Sequence, residues 1–262
     1  MFLDTFYKIQ KYCHHDGSRH SHPHLHPDRR GSGITIKKSG AREIKVVRRV
    51  LDINEKMAQQ NRSIFAAKGI FVLNVMSSPG SGKTTTLEKT LSQISSEIKS
   101  AVIVGDICTT NDADRLAVSG VPVVQINTDE FGGDCHLAAH VIEKAVGGLD
   151  LDDIDLLIVE NVGNLVCPAE FDIGEDARAV VLSVTEGEDK PAKYPLMFRE
   201  CEVALLNKID LLPYLDYDEN LAIDYIHQVH PDMPVFQISA RTEEGFEPWL
   251  EWVKTAVKKK LG

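Results

Sequence analysis

Residues 77–84 carry a residue pattern that can bind phosphate. They read Ser-Ser-Pro-Gly-Ser-Gly-Lys-Thr, between an apolar run and a helical pattern. Backbone N–H groups beside the glycines can turn toward phosphate oxygens, Lys83 can reach the β- and γ-phosphates, and the Thr84 hydroxyl can hold Mg²⁺. The pattern G-x-x-x-x-G-K-[ST] asks for glycine at position 77, where this chain has Ser77. The segment predicts a nucleoside-triphosphate site formed by Pro79, Gly80, Ser81, Gly82, Lys83, Thr84 and Thr85.

Residues 207–210 indicate which base the nucleotide carries. They read Asn-Lys-Ile-Asp at a strand end and match the N-K-x-D element of GTPases. The Asp210 carboxylate can accept from guanine N1–H and N2–H₂, whereas adenine would leave it unsatisfied. The Lys208 stem can lie over the base, and Asn207 can reach N7 or brace a loop. Ser239 and Ala240 end the next strand and resemble the element whose backbone N–H meets guanine O6.

Two carboxylates end strands near this loop. Asp106 and Glu160 are each placed to hold Mg²⁺, directly or through water, or to orient the attacking water. Gly163 follows Glu160 by three residues and can offer its N–H to the γ-phosphate. Residues 160–168 are therefore a candidate switch that orders with triphosphate. No glutamine follows Gly163, so we expect slow intrinsic hydrolysis, with Lys83, Asp106, Glu160 and Gly163 as the catalytic residues.

Cysteine and histidine form a possible metal site. Cys135 and His136 lie at an expected helix start, and Cys167 lies just beyond the proposed switch. Two thiolates and one imidazole suit Zn²⁺ or Ni²⁺. Buried structural cysteines are the alternative. A fourth ligand could be water, a group from a second subunit, or His140 on the same helix face.

Residues 1–40 do not have the pattern of a folded domain. They are rich in histidine, proline, glycine and serine, which favours disorder and weak metal binding. An engineered tag or a solvated tail without function are the alternatives. The histidine content of this segment, the N-terminal tail (residues 1–40), predicts weak nickel binding by His20, His22, His24 and His26.

The rest of the chain supplies elements that can position these residues. Residues 41–68 repeat apolar residues at helical spacing, and basic residues between them predict a solvated face of a helix packed on the main domain. From residue 70 onward, seven apolar β-type runs alternate with helical patterns. This alternation predicts a doubly wound α/β domain over 41–262, with a mainly parallel sheet flanked by helices. Its ligands should lie at the carboxyl ends of the strands.

Composition narrows the function classes. The chain has 262 residues, of which 43% are hydrophobic, and a formal net charge of −10. Such an acidic chain is a poor candidate for nucleic-acid binding. It has no apolar run long enough for a membrane span and no apolar signal core, so we expect a cytoplasmic protein.

Several further segments carry a resemblance to a known family. They are DADR (112–115), GGDCHLAAHVI (132–142), LLIVENVGNLVCPAEFDIGE (156–175), VTEGEDKPAKYPLMF (184–198) and NKIDLLPY (207–214). Together with the phosphate loop they resemble the hydrogenase nickel-incorporation GTPases, the HypB family, over roughly residues 41–260. The resemblance implies a P-loop GTPase of the signal-recognition-particle-like branch that forms GTP-promoted homodimers. It also implies Mg²⁺ at Thr84, Asp106 and Glu160, and a Ni²⁺ or Zn²⁺ site of Cys135, His136 and Cys167 at the dimer interface.

The same resemblance implies a function and partners. The chain would be a GTP-hydrolysing metallochaperone that assists nickel insertion into [NiFe]-hydrogenase, with maturation proteins and the hydrogenase large subunit as partners. Some family members carry an N-terminal C-x-x-C-G-C nickel motif, which this chain lacks. The alternatives are a urease-type nickel GTPase, an ATP-using P-loop small-molecule kinase, and a metal-storage protein in which the histidine tail does the work.

Overall fold

A computed structural model describes residues 40–106, 111–128 and 136–262, with the backbone alone at 40–49, 106 and 111. The predicted tail, Cys135 and the Asp106 side chain therefore lie outside the described residues. Seven strands are present in the described part of the chain. They are β1 (Phe71–Ser77), β2 (Ser100–Asp106), β3 (Val123–Asn127), β4 (Leu156–Glu160), β5 (Ala177–Ser183), β6 (Val203–Asn207) and β7 (Val235–Gln237).

Eight α-helices accompany these strands in the same residues. They are α1 (Gly40–Lys68), α2 (Lys83–Ile94), α3 (Asn111–Ala117), α4 (Ala139–Val146), α5 (Lys190–Lys193), α6 (Pro195–Arg199), α7 (Glu219–Val229) and α8 (Phe246–Leu261). Short 3-10 turns cover Leu151–Asp153, Cys167–Glu170 and Ile209–Tyr214. The helical region that follows β5 is divided into α5 and α6, and Pro195 begins the second helix.

The strands form one parallel sheet in the order β3-β2-β4-β1-β5-β6-β7. Apolar side chains cover both faces, which explains why β1, β4 and β6 are buried along their whole length. On one face the strands pack against α2 and α8, through residues such as Leu87 and Trp249. On the other face they pack against α1, α4, α6 and α7. This confirms the predicted doubly wound α/β fold.

Helix α1 meets the domain through a different face from the one that its apolar repeat suggests. Asn54, Ala58, Asn61 and Phe65 are buried, at spacings of four, three and four residues. Ile53, one of the apolar residues that repeat at helical spacing in residues 41–68, is instead 53% exposed. The two asparagines are buried because they donate to carbonyls of other segments: Asn54 Nδ2 to Asp172 O at 2.7 Å, and Asn61 Nδ2 to Ala139 O and Ile173 O at 2.9 and 3.0 Å.

No helix in the described part of the chain is long and apolar enough to span a bilayer.

Candidate nucleotide and metal site

The loop between β1 and α2 has the backbone that the phosphate motif requires. Gly80 and Gly82 have positive φ angles of 78° and 90°, and Gly82 caps the N-terminus of α2. A Cβ at Gly82 would lie 2.4 Å from Asn207 Nδ2, so both the backbone conformation and the close approach require glycine there. The α2 N-terminus thus follows directly from the carboxyl end of β1, where an anion is favoured by the helix dipole.

Ser77, the departure from the glycine pattern, is accommodated as the last residue of β1. It is 1% exposed, pairs with Val181 of β5, and donates from its hydroxyl to Ser78 O at 2.9 Å. The side chain is satisfied locally, and the strand continues up to the loop without a glycine.

Glu160 gathers the two reactive side chains of the loop. Lys83 Nζ lies 2.7 Å from Glu160 Oε1, and Thr84 Oγ1 donates to the same oxygen at 2.6 Å. Val75 pairs with Glu160 in the β1–β4 register, so the sheet itself places this carboxylate beside the loop.

The hydrogen bonding of the second Glu160 carboxylate oxygen, Oε2, shows whether the site suits Mg²⁺. Among the buried side-chain nitrogens and oxygens that the structure describes, only Glu160 Oε2 has no hydrogen-bond partner. An unsatisfied buried carboxylate oxygen beside a threonine hydroxyl is chemically suited to a hard cation such as Mg²⁺. The residues present therefore fit this ion.

Asp106 and Gly163 are brought to the same edge of the sheet. Asp106 ends β2 two residues beyond Val104, which pairs with Glu160. A Cβ at Gly163 would lie 3.3 Å from backbone atoms of Pro79, so the start of the proposed switch lies directly against the phosphate loop. Asn164, at the position where many GTPases carry a catalytic glutamine, accepts from Val166 N–H at 2.8 Å.

Asn207 is a brace between three segments. Its Nδ2 donates to Ser81 O at 2.9 Å, and its Oδ1 accepts from the N–H groups of Lys208 and Ala240 at 2.8 and 3.0 Å. Of the two roles open from the sequence, contact with guanine N7 or bracing of a loop, this geometry matches bracing. The Ala240 N–H is already used here, so guanine O6 would have to share or replace that contact.

The remaining guanine-motif residues surround the loop. Lys208 has a left-handed backbone with φ 66°, and its Nζ donates to Gly80 O at 2.7 Å. Asp210 Oδ1 accepts from Ser239 Oγ at 2.6 Å, which orients the carboxylate predicted to read the base. Thr85 accepts from Arg115 Nη2 at 2.9 Å, so Arg115 is engaged on α2.

Sequence reasoning missed Glu186. Its carboxylate accepts from the hydroxyls of Ser78 and Ser81, the latter at 2.9 Å, and Lys190 Nζ lies 3.5 Å away. It ties the loop that follows β5 to the phosphate loop. More than a hundred residues separate the partners along the chain. Only the β1–β5 pairing, which no local pattern reveals, brings them together.

The described metal-site residues converge on one segment. The His136 ring stacks on Phe171, with ring centroids 3.7 Å apart, and Phe171 follows the 3-10 turn that begins at Cys167. The imidazole predicted from one region of the chain thus lies beside the segment that carries the thiol predicted from another. Within the described residues no group of three or more His, Cys, Asp or Glu side chains is arranged to hold a metal, and Cys135 lies outside those residues.

One detail of the predicted metal site is corrected, and one cysteine outside that site is assigned to packing. His136 precedes α4, which begins at Ala139, so His136 and His140 do not share a helix face as expected. Burial raises the pKa of the Cys201 thiol well above its usual value, which makes Cys201 a packing residue. The tail histidines at 20, 22, 24 and 26 lie outside the described residues.

Comparison with known proteins places this arrangement in a family. The model of the CobW/HypB/UreG nucleotide-binding domain matches residues 71–237. The hydrogenase maturation factor HypB of Escherichia coli K12 is 51% identical over 206 residues, which cover 79% of this chain and 70% of that protein. The chain belongs to the HypB family of hydrogenase maturation factors.

Solved structures agree with this assignment. HypB from Helicobacter pylori, crystallised in complex with nickel, superposes with a TM-score of 0.73 at 36% identity, over 79% of this chain and 96% of that one. The signal recognition particle receptor FtsY from Elizabethkingia anophelis has a TM-score of 0.50 at 17% identity, over 83% and 80% of the two chains, and shares the fold. The predicted resemblance to HypB proteins, and to the signal-recognition-particle-like fold, is thereby confirmed.

Proposed function

We propose that this HypB family member is a GTP-hydrolysing nickel metallochaperone that assists the insertion of nickel into [NiFe]-hydrogenase. GTP binds at the loop between β1 and α2. Nickel, the cargo, is held by Cys135, His136 and Cys167, and zinc is the competing ion for the same donor set. Weak additional nickel binding by the histidine tail remains part of the proposal.

The observation that carries this proposal is the stacking of His136 on Phe171. It joins the imidazole to the segment that starts at Glu160, passes the phosphate loop at Gly163 and carries Cys167. A change at Gly163 when the γ-phosphate arrives or leaves would therefore act on Cys167 and on His136. The nickel-bound H. pylori HypB supports nickel as the cargo.

The roles in hydrolysis follow from charge and position. Lys83 leaves Glu160 to neutralise the β- and γ-phosphates, and Gly163 offers its N–H to the γ-phosphate. Mg²⁺, held by Thr84 and Glu160 with Asp106, would supply positive charge to the phosphate oxygens. Glu160 or Asp106 orients the attacking water. The absence of a glutamine at Asn164 favours slow turnover.

The proposal extends to assembly. GTP favours a homodimer whose interface includes the nickel site, and hydrolysis loosens it so that nickel passes to maturation proteins or to the hydrogenase large subunit. Binding must be reciprocal: if GTP strengthens nickel binding, nickel must strengthen GTP binding by the same factor.

The test is size-exclusion chromatography of the full chain with bound nickel quantified, in GDP and in a non-hydrolysable GTP analogue. We expect the analogue to shift the chain toward a dimer that retains nickel. Cys167→Ala should lose the bound nickel and keep nucleotide binding. Cys201→Ala, which removes a buried thiol outside the predicted metal site, is the matched control and should retain nickel as wild type does. A monomer whose nickel content ignores both nucleotide and Cys167 would overturn the proposal.

A further inference from the structure

The residue after His136 is anchored to the two strand ends that carry the candidate Mg²⁺ carboxylates. The Leu137 N–H donates to Asn161 Oδ1 at 3.2 Å, and Asn161 directly follows Glu160. The Leu137 side chain lies against Gly105, where an added Cβ would approach its Cδ1 to 2.8 Å, and Gly105 directly precedes Asp106. His136 is therefore adjacent, through Leu137, to both carboxylate-bearing strand ends.

Asn161 is built into this position. Its side chain is fully buried, and its Oδ1 accepts from two N–H groups, those of Leu137 and of Val162, the latter at 2.9 Å. Its Nδ2 donates to Asn74 Oδ1 at 3.2 Å, and its own N–H donates to Val75 O at 3.0 Å. The side-chain amide thus links the start of the switch, the phosphate-loop strand β1 and the His136 segment.

Ala139, the first residue of α4, is held independently of Asn161 by two asparagines of α1. Ala139 N–H donates to Asn54 Oδ1 at 2.9 Å, and Asn61 Nδ2 donates to Ala139 O at 2.9 Å. Helix α1 thus fixes the start of α4, and Asn161 holds the peptide that leads from His136 into it. A displacement of residues 160–162 would therefore act on His136 rather than on α4 as a whole.

We propose that Asn161 is the residue that positions His136 according to the nucleotide state. This role of Asn161 rests on the proposed function, because it is a second connection between the nucleotide and nickel sites, in addition to the segment from Gly163 to Cys167. When nucleotide binds, Glu160 releases Lys83 and contacts the cation at the phosphates instead, and residues 160–162 shift. The hydrogen bond between Asn161 Oδ1 and the Leu137 N–H then displaces Leu137 and the adjacent His136 ring. Both metal-site regions then respond to one event.

The test is a linkage measurement on the full chain. The dissociation constant of Ni²⁺ is measured with GDP and with a non-hydrolysable GTP analogue, and their ratio gives the coupling. We expect a wild-type ratio of about 5 or more, the lower end of ordinary allosteric coupling. Asn161→Ala should lower the ratio to less than half of the wild-type value, with the remainder carried by the Gly163–Cys167 segment. It should also change the Ni²⁺ absorption bands, because the Leu137 N–H no longer fixes the peptide next to His136.

Two further variants separate positioning from stability. Asn161→Asp keeps an oxygen that accepts from Leu137 and Val162 but faces Asn74 Oδ1 with a second oxygen, so it should lower the melting temperature and retain the coupling. Asn74→Ala removes an equally buried asparagine of the same hydrogen-bonded set without touching Leu137. It should also lower the melting temperature and retain the coupling.

The outcomes are distinguishable. A wild-type ratio of one would overturn the proposed function itself. A wild-type ratio retained in folded Asn161→Ala, or lost equally in Asn74→Ala, would overturn only the role of Asn161. Should Asn161→Ala not fold, hydrogen exchange of the Leu137 amide in the wild-type chain decides: the GTP analogue must change its protection relative to GDP, and an unchanged rate contradicts the proposal.

Discussion

Lys83 Nζ and Glu160 Oε1 form an ion pair of 2.7 Å in which the lysine side chain is 10% exposed and the glutamate side chain 1% exposed. Removing one partner of such a buried pair leaves an uncompensated charge and typically costs about 3–5 kcal/mol. The ion pair holds the Lys83 ammonium on the Glu160 carboxylate, so Lys83 can contact phosphate, as proposed, only when this pair breaks. The buried carboxylate then requires another cation.

Glu160→Gln should therefore change how nucleotide affinity depends on Mg²⁺. The neutral amide no longer retains Lys83 and no longer repels phosphate, so GDP should bind more tightly than to wild type when Mg²⁺ is chelated. Mg²⁺ should also strengthen GDP binding less in the variant than in wild type, because the ion has lost a charged ligand. We expect this strengthening to be smaller by about tenfold or more, which corresponds to about 1.4 kcal/mol or more. Titration of a fluorescent GDP with and without chelator measures both effects.

The control for this prediction is Glu175→Gln. Glu175 is also a buried carboxylate, and it pairs with Arg178 beside the start of β5. Its loss should lower stability and leave the Mg²⁺ dependence of GDP binding at the wild-type value. An equal Mg²⁺ dependence in Glu160→Gln and wild type would exclude Glu160 from the cation site.

Asp210→Asn should exchange base specificity. The carboxylate is oriented by Ser239 Oγ at 2.6 Å, and it is predicted to accept from guanine N1–H and N2–H₂. The amide would face these donors with its own N–H₂, so GTP affinity should fall by about 100-fold, while xanthosine triphosphate, with a carbonyl at C2, should gain. Competition of GTP, XTP and ATP against a fluorescent nucleotide measures this, and equal binding of ATP and GTP by the wild type would revive the kinase alternative.

Asn207→Ala should weaken all nucleotides alike. Asn207 holds Ser81 O, Lys208 N–H and Ala240 N–H at 2.8–3.0 Å, so its loss releases the phosphate loop and the base loop together. We expect about a tenfold loss for GTP, GDP and ATP in the same competition experiment. Asn207→Asp keeps the two accepted hydrogen bonds and should lose less. A selective loss for guanine nucleotides would instead mean that Asn207 contacts the base.

The fold, and the strand edge at which the candidate nucleotide residues lie, could be predicted from the sequence. Seven buried apolar runs become seven parallel strands, because strands covered on both faces must be apolar throughout, and motif residues at their ends necessarily share one edge. Lys83, Thr84 and Glu160 lie together at that edge, and their roles toward nucleotide and Mg²⁺ stay predictions. These interactions follow from local pattern together with the α/β topology.

The contacts that join distant segments were not predictable. Glu186 reaches Ser78 and Ser81 only because β5 lies next to β1, and local sequence patterns do not predict the order of the strands. Asn54 and Asn61 of helix α1 are buried because they donate hydrogen bonds to backbone carbonyls of distant segments. The apolar repeat of the sequence shows only where apolar side chains lie, so it could not predict these contacts. Asn161 follows Glu160 directly, yet its partner at Leu137 depends on the same topology.

Asp172→Asn should lower stability more at neutral pH than in acid. Arg62 Nη2 lies 2.8 Å from both carboxylate oxygens, and Gly174 N–H donates to Oδ1 at 2.8 Å. Burial acts to raise the pKa of the Asp172 carboxyl, but the hydrogen bonds from Arg62 and Gly174 outweigh it and hold the pKa below its usual value. A depressed folded-state pKa stabilises the fold above the unfolded value, about 4 for aspartate, and this stabilisation is lost as the pH falls through the folded value.

The pair is partly exposed, at 42% for Arg62 and 31% for Asp172, so solvent screening limits its contribution. We expect Asp172→Asn to reduce the free energy of unfolding by about 0.5–1 kcal/mol at pH 7, and the difference from wild type to be smaller at pH 3. Urea unfolding at both pH values measures it. Asp152→Asn, which removes the 78% exposed partner of Lys68, is the matched control and should have little effect at either pH. A deficit in Asp172→Asn that persists unchanged in acid would show that the carboxylate charge does not anchor α1.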